Sequence, residues 1–396
     1  MSFFISVAEA KNILHQNVSL GNMITIPLEK SLGMYLAEDI AAPTDIPSFH
    51  NSAMDGYAIC WEEGDGERKL LEHTKLKAGD MEHFVLGKEE AVRIFTGAAI
   101  PKGADTVIPQ EFVDLKEGKL IFDHQQFQKG ANFRAQGAQN KKGDIIAYKH
   151  SMITPGMVGL LSSLGISKVR VFSPPKVGII LTGDELIEAG TPLSFGKVYN
   201  ANGPVLRTYL SSMNIHNTKT VHAPDQEHLL QQQIDKLLGE VDVLIISGGI
   251  SVGDYDYVKT CLEKADVSQL FYKVRQKPGK PLYVGKRGRQ WIFALPGNPS
   301  STLTCFNQYV KPCLLEWMGS KIAWTSNGYF PLADHFRKKQ GLTFFLKAKI
   351  EKGEVQVLPG QESFNMIAFG NTNCFAEIPE EVAELEKGEM VNVYFW

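Results

Sequence analysis

The sequence lacks the features that would direct a protein to a membrane, to nucleic acid or to an oxidising compartment. No apolar run approaches the length of about 20 residues that a membrane-spanning helix needs. With 41 basic and 44 acidic residues, the net charge of −3 provides no basic excess, which argues against a nucleic-acid binder. The five cysteines include no C-x-x-C pair, which argues against a zinc site and is typical of reduced, buried thiols. We therefore expect a cytoplasmic protein that binds neither membrane nor nucleic acid.

The start of the chain also lacks the pattern of a signal peptide. Ser6-Val-Ala-Glu9 instead has the form of a capping box, which predicts a short amphipathic helix over Ser6–His15. A second helix is expected around Pro27–Ala37.

The 396 residues are enough for two to four domains. We predict a helical domain from two separate stretches, a β-rich domain inserted between them, an α/β domain and a small C-terminal β-barrel. These domains are expected at residues 1–45 with 145–172, 46–144, 173–320 and 321–396, respectively.

Residues 173–320 alternate between strand and helix patterns, as expected for a doubly wound parallel sheet with helices on both faces. The expected strands are Val177–Leu181, Lys219–His222, Val243–Ile246 and Trp291–Leu295, and the expected helices are Pro204–Ser212, Gln226–Leu238 and Ser300–Trp317. The predicted fold class is thus α/β and multidomain.

The stretch VLIISGGISVGDYD at 243–256 is the most informative one in this domain. It is not a P-loop, because Asp254 and Tyr255 stand where that motif needs Lys and Ser/Thr. Since ligands bind at the carboxyl ends of strands in α/β sheets, the loop is expected to offer N–H groups to an anion and carboxylates to a divalent cation. A structural turn with solvated acids is the alternative. The substrate-binding candidates here are Ser247, Gly248, Gly249 and Ser251.

A second acidic loop, Thr182-Gly-Asp-Glu185, follows the first strand of the same domain. Oxygen ligands from two loops suit a Mg²⁺ ion that also bridges a phosphate. Alternatively, the acids could simply favour the start of a helix. The predicted metal ligands are Asp184, Glu185, Asp254 and Asp256. Asp225, just before a predicted helix, is a candidate N-cap or an additional ligand.

Two further segments suit an anion. If Lys273–Lys277 is extended, Lys273, Arg275 and Lys277 lie on one face, and the Pro-Gly turn returns Lys280 to them. Such charges repel unless an anion sits among them, although a solvated edge strand is the alternative.

The second of these segments, Leu295-Pro-Gly-Asn-Pro-Ser300, leads into a helix N-terminus, which suits an oxyanion such as molybdate, sulfate or phosphate. A well-capped helix is compatible with the same residues. The residues considered for the oxyanion are Pro296, Gly297, Asn298, Pro299 and Ser300.

Together these segments resemble the MoeA family, the molybdopterin molybdenumtransferases, which includes the gephyrin E domain. The matching stretches run in order through the whole chain: NSAMDGYA at 51–58, FTGAAIPKGADTVIPQE at 95–111, TGDEL at 182–186, SGGISVGDYDY at 247–257, KPGKP at 277–281 and LPGNPSS at 295–301. The glycine motif alone also occurs in molybdopterin adenylyltransferases, whereas NSAMDGYA together with LPGNP points to the insertase.

The resemblance implies a homodimer with an active cleft shared between chains. It implies adenylylated molybdopterin and molybdate as substrates, Mg²⁺ as cofactor, and AMP with molybdenum cofactor as products. The molybdopterin adenylyltransferase is a further partner to consider. The matching positions are Asp55, Thr96, Arg134, Glu185, Asp225, Asp256, Lys273, Lys277, Pro296 and Pro299. Of these, Asp55, Thr96, Glu185 and Asp256 are expected to be catalytic.

One position departs from the family pattern. After Asn132-Phe-Arg134 and Gly137, the family usually has an acidic residue where this chain has Gln139. That contact is in doubt, and a paralogue with reduced activity stays open. Two rival functions also stay open: a molybdopterin adenylyltransferase, which has no evident need for residues 46–144, and a non-catalytic scaffold.

Overall fold

The computed structural model describes residues 4–64, 66–80, 85–250 and 257–396. The chain forms two compact units, each built from separate stretches of sequence. The first unit comprises Met1–Glu38, His150–Pro155 and Lys168–Trp396, and the second comprises Asp39–Lys149 and Gly156–Ser167.

The capping box at the start of the chain is confirmed. Helix α1 spans Val7–Asn17, the Glu9 N–H donates to Ser6 Oγ at 3.1 Å, and the Ser6 N–H donates to the Glu9 carboxylate at 2.6 Å. Strand β1 follows at Met23–Pro27.

The second predicted helix is wrong. Only a single 3₁₀ turn forms, at Leu28–Lys30. The Ser31 hydroxyl donates back to the Leu28 carbonyl at 2.6 Å, and Gly33 adopts a left-handed φ of +77°. The chain therefore turns away after one turn, because an α-helix cannot continue through a left-handed residue.

The second unit is built mainly from strands. Strands β2 to β11 span Ile40–Ala41, Asn51–Ser52, Gly56–Ile59, Glu67–Leu76, Glu90–Ile94, Thr106–Pro109, Val113–Lys116, Lys119–Phe122, Phe133–Arg134 and Ile145–Ala147. Six of them form a sheet in the order β7-β4-β6-β5-β9-β8, with a separate apolar cluster against each face. Single 3₁₀ turns lie at Gln110–Phe112 and His124–Gln126, and helix α2 spans Pro155–Ser163.

The rest of the chain supplies the larger part of the first unit. Strands β12 to β21 span Lys168–Phe172, Val177–Thr182, Leu186–Ile187, Val198–Tyr199, Thr218–Ala223, Val243–Ser247, Ser268–Tyr272, Gln276–Lys277, Tyr283–Arg287 and Gln290–Leu295. Strands β22 to β28 span Gly328–Pro331, Phe336–Arg337, Thr343–Glu351, Glu354–Val357, Cys374–Ile378, Glu384–Leu385 and Met390–Phe395. Helices α3 to α7 span Asn202–Ser212, Glu227–Leu238, Val258–Lys264, Pro299–Cys305 and Lys311–Trp317.

The predicted α/β fold class is confirmed. In the described chain the central sheet has the order β16-β13-β17-β21-β20-β18, and its first four strands are parallel. Helices α4 and α5 supply the apolar cluster on one face, while α1, α3, α6 and α7 contribute to the cluster on the other. The antiparallel strands β20 and β18 extend one edge. Every residue of β13 and β17 is buried, as expected for strands covered on both faces.

The predicted helix at Ser300–Trp317 forms as α6 and α7 joined by a π-helical stretch, Phe306–Val310. Pro312 has no N–H and its ring obstructs the preceding turn, so an uninterrupted α-helix would be strained there. All five residues of the π-helical stretch are buried.

A second sheet of the first unit lies towards the C-terminus. It runs in the order β19-β24-β26-β28-β22, with β25 paired to β24. A 3₁₀ turn at Ile367–Gly370 precedes β26. The core beneath this sheet is a separate apolar cluster that includes Leu346, Ala376 and Val393.

Candidate functional site

A cavity of about 630 Å³ lies where strands β13, β17 and β21 end, within the first unit. This is the edge of an α/β sheet at which ligands bind, and the volume is that of a small-molecule site. Nine residues selected from the sequence line it: Glu185, Asp225, Ser247, Gly248, Gly249, Pro296, Gly297, Asn298 and Pro299. The other lining residues include Thr182, Tyr199, Asn200, Asn202, Pro281 and Phe364.

The acidic side of the cavity joins the end of β13 to the start of α4. Asp184 and Asp225 each accept a hydrogen bond from the other's backbone N–H, at 3.2 and 3.3 Å. The N-cap of α4 is Gln226, so Asp225 does not cap the helix as one interpretation of the sequence had it. Loss of solvent raises the pKa of Asp225, and the negative charges of Asp184 and Glu185 add to this effect. The negative charges of Asp184 and Glu185 thus act on Asp225 at one side of the cavity.

The glycine loop approaches the end of β13 so closely that side chains are excluded. Gly248 has a φ of +102°, and a Cβ placed on it would lie 2.4 Å from Thr182 Oγ1. Its N–H donates to the Leu295 carbonyl at 3.1 Å, which makes that group unavailable to an anion. The N–H groups expected to bind an anion would therefore have to come from other residues of the loop, and Gly248 allows close packing of the loops.

Asn202, at the start of α3, ties two of the loops together, and sequence reasoning missed it. Its side-chain Nδ2 donates to Ser247 Oγ and to the Gly297 carbonyl, both at 2.8 Å. The helix was expected to begin only at Pro204, and an asparagine before a helix is normally assigned a capping role. The only available signal was its position on a strand-to-helix connection.

The Pro-Gly-Asn-Pro segment borders the cavity, but Ser300 does not. Asn298 occupies the N-cap position without a side-chain capping hydrogen bond, and Pro299 is the first helical residue. The Ser300 N–H already donates to the Ser363 carbonyl at 3.3 Å. Ser300 is fully buried, and its hydroxyl has no hydrogen-bond partner among the described residues.

The three selected lysines lie over aromatic rings, outside the residues that line the cavity. Lys273 Nζ and Lys280 Nζ lie 5.8 and 4.3 Å from the centre of the Phe4 ring, and Lys277 Nζ lies 5.2 Å from that of Phe344. Lys280 directly precedes Pro281, which does line the cavity. The lysines thus form a basic group on the chain segment that enters the site.

Arg275 does not belong to this basic group. Its guanidinium donates to the Glu380 carboxylate at 2.9 and 3.2 Å and to the Phe4 carbonyl at 2.6 Å. Moreover, Lys273 has a φ of +67°, so the segment is not the regular extended strand that would place all three cations on one face. That geometric expectation is wrong.

In the second unit, Asp55 and Thr96 contact each other directly. Asp55 Oδ1 accepts hydrogen bonds from the Thr96 N–H at 2.8 Å and from its hydroxyl at 2.7 Å. These bonds lower the pKa of the exposed Asp55 carboxyl, the backbone donor having the larger effect. Arg134 lies on β10, whose partner strand β3 begins with Asn51 of the same NSAMDGYA motif. Strand β3 therefore connects these three candidates.

Gln139 lies at an exposed turn of the second unit. Its backbone N–H donates to the Ile46 carbonyl at 2.8 Å, and the neighbouring Gly137 adopts a φ of +71°. The backbone role of this position does not depend on its side chain. Ser251, Asp254 and Asp256 lie outside the described residues.

Three family models match the chain in succession. Residues 5–165 match the MoeA N-terminal region (domain I and II), residues 178–316 match a probable molybdopterin binding domain, and residues 329–396 match the MoeA C-terminal region (domain IV). No described helix is both long and apolar enough to cross a membrane.

Two relatives of similar length have the same name. The molybdopterin molybdenumtransferase of Staphylococcus epidermidis is 35% identical over 402 residues, which cover 98% of this chain and 95% of that protein. The protein of the same name from Haemophilus influenzae is 36% identical over 374 residues, which cover 92% of each. Among solved structures, two of a molybdopterin biosynthesis MoeA protein from Pyrococcus horikoshii are similar, with TM-scores of 0.84 and 0.81, identities of 28% and 30%, and at least 99% of each chain covered.

Proposed function

Because the chain belongs to the MoeA family of molybdopterin molybdenumtransferases, we propose that it inserts molybdate into adenylylated molybdopterin with Mg²⁺-dependent release of AMP. Family membership makes it a transferase of molybdenum cofactor biosynthesis. The observation that supports the specific reaction best is the cavity at the strand ends, which has carboxylates on one side and the Pro-Gly-Asn-Pro segment on another.

The carboxylates suit Mg²⁺. Asp184, Glu185 and Asp225 cluster at the ends of two adjacent parallel strands, and their mutual repulsion contributes to the raised pKa of Asp225. Their oxygens do not all lie within 4.8 Å of one another, so a cation here would also take ligands from the substrate. When bound, Mg²⁺ would neutralise phosphate charge and polarise the phosphate bond that is broken.

The other residues either hold the loops around the cavity in place or bind the substrates in this proposal. Gly248 allows the loop after β17 to pack against Thr182, and Asn202 fixes that loop to Gly297. The lysines at 273, 277 and 280 attract the negatively charged nucleotide, and the segment Pro296–Pro299 contacts molybdate.

We further propose that Asp55, Thr96 and Arg134 complete the cavity of a partner chain in a homodimer. Asp55 is exposed and its carboxylate is fixed by Thr96, so it is a preorganised acceptor on the surface of the second unit. Asp256 is proposed as a further catalytic carboxylate.

One assay tests the reaction. Purified protein is incubated with adenylylated molybdopterin, molybdate and Mg²⁺, and AMP and molybdenum cofactor are measured together. Equal amounts of both are expected, and neither should form without Mg²⁺. A parallel reaction with ATP and molybdopterin tests adenylyl transfer. Nucleotide transfer in that reaction without cofactor formation in the first would overturn the proposal, and so would inactivity in both.

A further inference from the structure

An aromatic side chain from the C-terminal sheet region borders the cavity. Phe364 is 74% exposed and yet is one of the lining residues, most of which belong to the central α/β sheet and its loops. Water surrounds most of this ring, so its face is open to a ligand in the cavity.

A buried lysine holds the segment that carries Phe364 through two hydrogen bonds to its backbone. Lys347, on β24, is 1% exposed, and its ammonium donates to the carbonyls of Glu362 and Asn365 at 3.1 and 2.9 Å. The Asn365 N–H donates to the Glu362 carbonyl at 3.1 Å, which closes a turn around the phenylalanine. The backbone on both sides of the ring is thus fixed before any ligand arrives.

Two further contacts fix the segment. Gln361 Nε2 donates to the carbonyls of Lys347 and Leu358 at 2.8 and 2.7 Å. On the cavity side, the Ser363 carbonyl accepts the Ser300 N–H at 3.3 Å, which connects the segment to the first turn of α6. The backbone that carries Phe364 is therefore fixed beside the cavity, so that a ligand would not have to order this turn on binding.

We propose that Phe364 stacks on a planar fused nitrogen heterocycle of the bound substrate. Among the described residues, the lining has one other aromatic ring, Tyr199, whose hydroxyl donates to the Thr191 carbonyl at 2.9 Å. The Phe364 ring, carried on a fixed turn at the border of the cavity, presents a flat apolar surface that matches such a ring system. Adenine and pterin share this chemistry. The proposal rests on the proposed function, which supplies a substrate containing both.

The test compares four variants by direct binding. Phe364→Ala and Phe364→Leu remove the aromatic ring, Phe364→Trp retains one, and Ile367→Ala is the matched control. Ile367 is 85% exposed and lies three residues further along the same segment, but does not line the cavity. Each protein is titrated with AMP and, separately, with molybdopterin.

Loss of one stacking contact is worth about 1–3 kcal/mol, which predicts an affinity for one of the two ligands that is lower by about fivefold to 150-fold in Phe364→Ala. Phe364→Leu should show a similar loss, whereas Phe364→Trp and Ile367→Ala should bind like the wild type. The ligand whose affinity falls identifies the stacked ring. In turnover assays, the KM for adenylylated molybdopterin should rise while kcat changes little.

Unchanged affinity of Phe364→Ala for both ligands would overturn the inference, and wild-type turnover in the same preparation would show that the proposed function survives. Full affinity in Phe364→Leu would also overturn it, because an apolar contact without stacking would then suffice. Binding that depends on Phe364 in a protein without turnover would instead overturn the proposed function alone. If the wild type bound neither ligand, both proposals would fail.

Discussion

Arg275 is held by Glu380, a residue 105 positions later in the sequence, through two hydrogen bonds of 2.9 and 3.2 Å. Three lysines lie on the same short segment, but their ammonium groups lie over aromatic rings. Cations that look equivalent in the sequence therefore have different surroundings. The arginine joins the residues before α1 to the C-terminal region, whereas the lysines lie against aromatic rings.

This difference predicts opposite effects of two substitutions. Lys277→Ala should weaken binding of adenylylated molybdopterin by about tenfold or more, since a hydrogen bond to a charged group contributes about 1.5–3 kcal/mol. Arg275→Ala should leave affinity nearly unchanged and lower the urea midpoint instead, because it leaves Glu380 without its partner. Titrations at low salt and urea unfolding of both variants measure the two effects. Unchanged affinity of Lys277→Ala would return the lysines to the role of a solvated surface.

The acidic side of the cavity predicts a requirement for a divalent cation. Asp225→Asn retains an oxygen that can accept the Asp184 N–H but removes one negative charge. The Mg²⁺ concentration for half-maximal AMP release should rise by about tenfold or more, and Glu185→Gln should abolish turnover while the protein stays folded. Glu354→Gln, at an exposed carboxylate of β25, is the control. Full activity of Glu185→Gln in the presence of a chelator would contradict the assignment.

The proposed shared cavity predicts complementation between two inactive proteins. Asp55→Ala and Glu185→Ala are mixed in equal amounts and allowed to exchange subunits. About half of the dimers should then be mixed, each with one intact and one doubly altered site, so activity should approach roughly a quarter of wild type. Exchange is verified with a different tag on each chain. No recovery after complete exchange would mean that each chain builds its own site.

The pH dependence of stability should reveal the environment of Lys311. Burial lowers the pKa of this lysine from 10.5 to about 8, and its ammonium donates to the Phe395 carbonyl at 2.7 Å. Below about pH 8 the amine is charged in both the folded and the unfolded chain, so burying the charge destabilises the fold. Between about pH 8 and 10.5 only the unfolded chain keeps the proton, and the free energy of unfolding should rise by up to about 3 kcal/mol.

The rise is measured relative to Lys311→Met, which lacks the titrating group. Other groups, such as the buried thiols, affect both proteins equally and cancel in the difference. Unfolding is followed by the fluorescence of tryptophans in the first unit, Trp291, Trp317, Trp324 and Trp396. A wild type and a variant that respond identically between pH 7 and 10 would exclude a depressed pKa.

Much of the fold is predictable because local patterns determine it. The short β-branched runs that begin at Val177 and Val243 favour buried strands, and the capping box at Ser6 marks the start of α1. The helix expected around Pro27–Ala37 does not form because the chain turns at Gly33. The sequence pattern did not indicate that Gly33 would adopt a left-handed conformation.

The site is less predictable wherever a role depends on a distant partner. Nothing near Arg275 in the sequence indicates Glu380, and nothing near Asn202 indicates Ser247 and Gly297. Phe364 lies in a segment without a recognisable motif, and the distant, buried Lys347 helps to hold its turn beside the cavity. Sequence motifs identify residues whose partners lie in the same loop. The tertiary structure is needed to find residues whose partners lie far away in the sequence.

The close approach of the glycine loop to its neighbours determines how freely each position can vary in evolution. A methyl group at Gly248 would meet Thr182 at 2.4 Å on a backbone with positive φ, whereas one at Gly297 would meet only Gly248 Cα, at an ordinary 3.6 Å. An alanine side chain is therefore sterically tolerated at position 297 and excluded at position 248. The two glycines border the same cavity, but only the one at 248 is a fixed point of the sequence, and any variant that keeps the site must retain it.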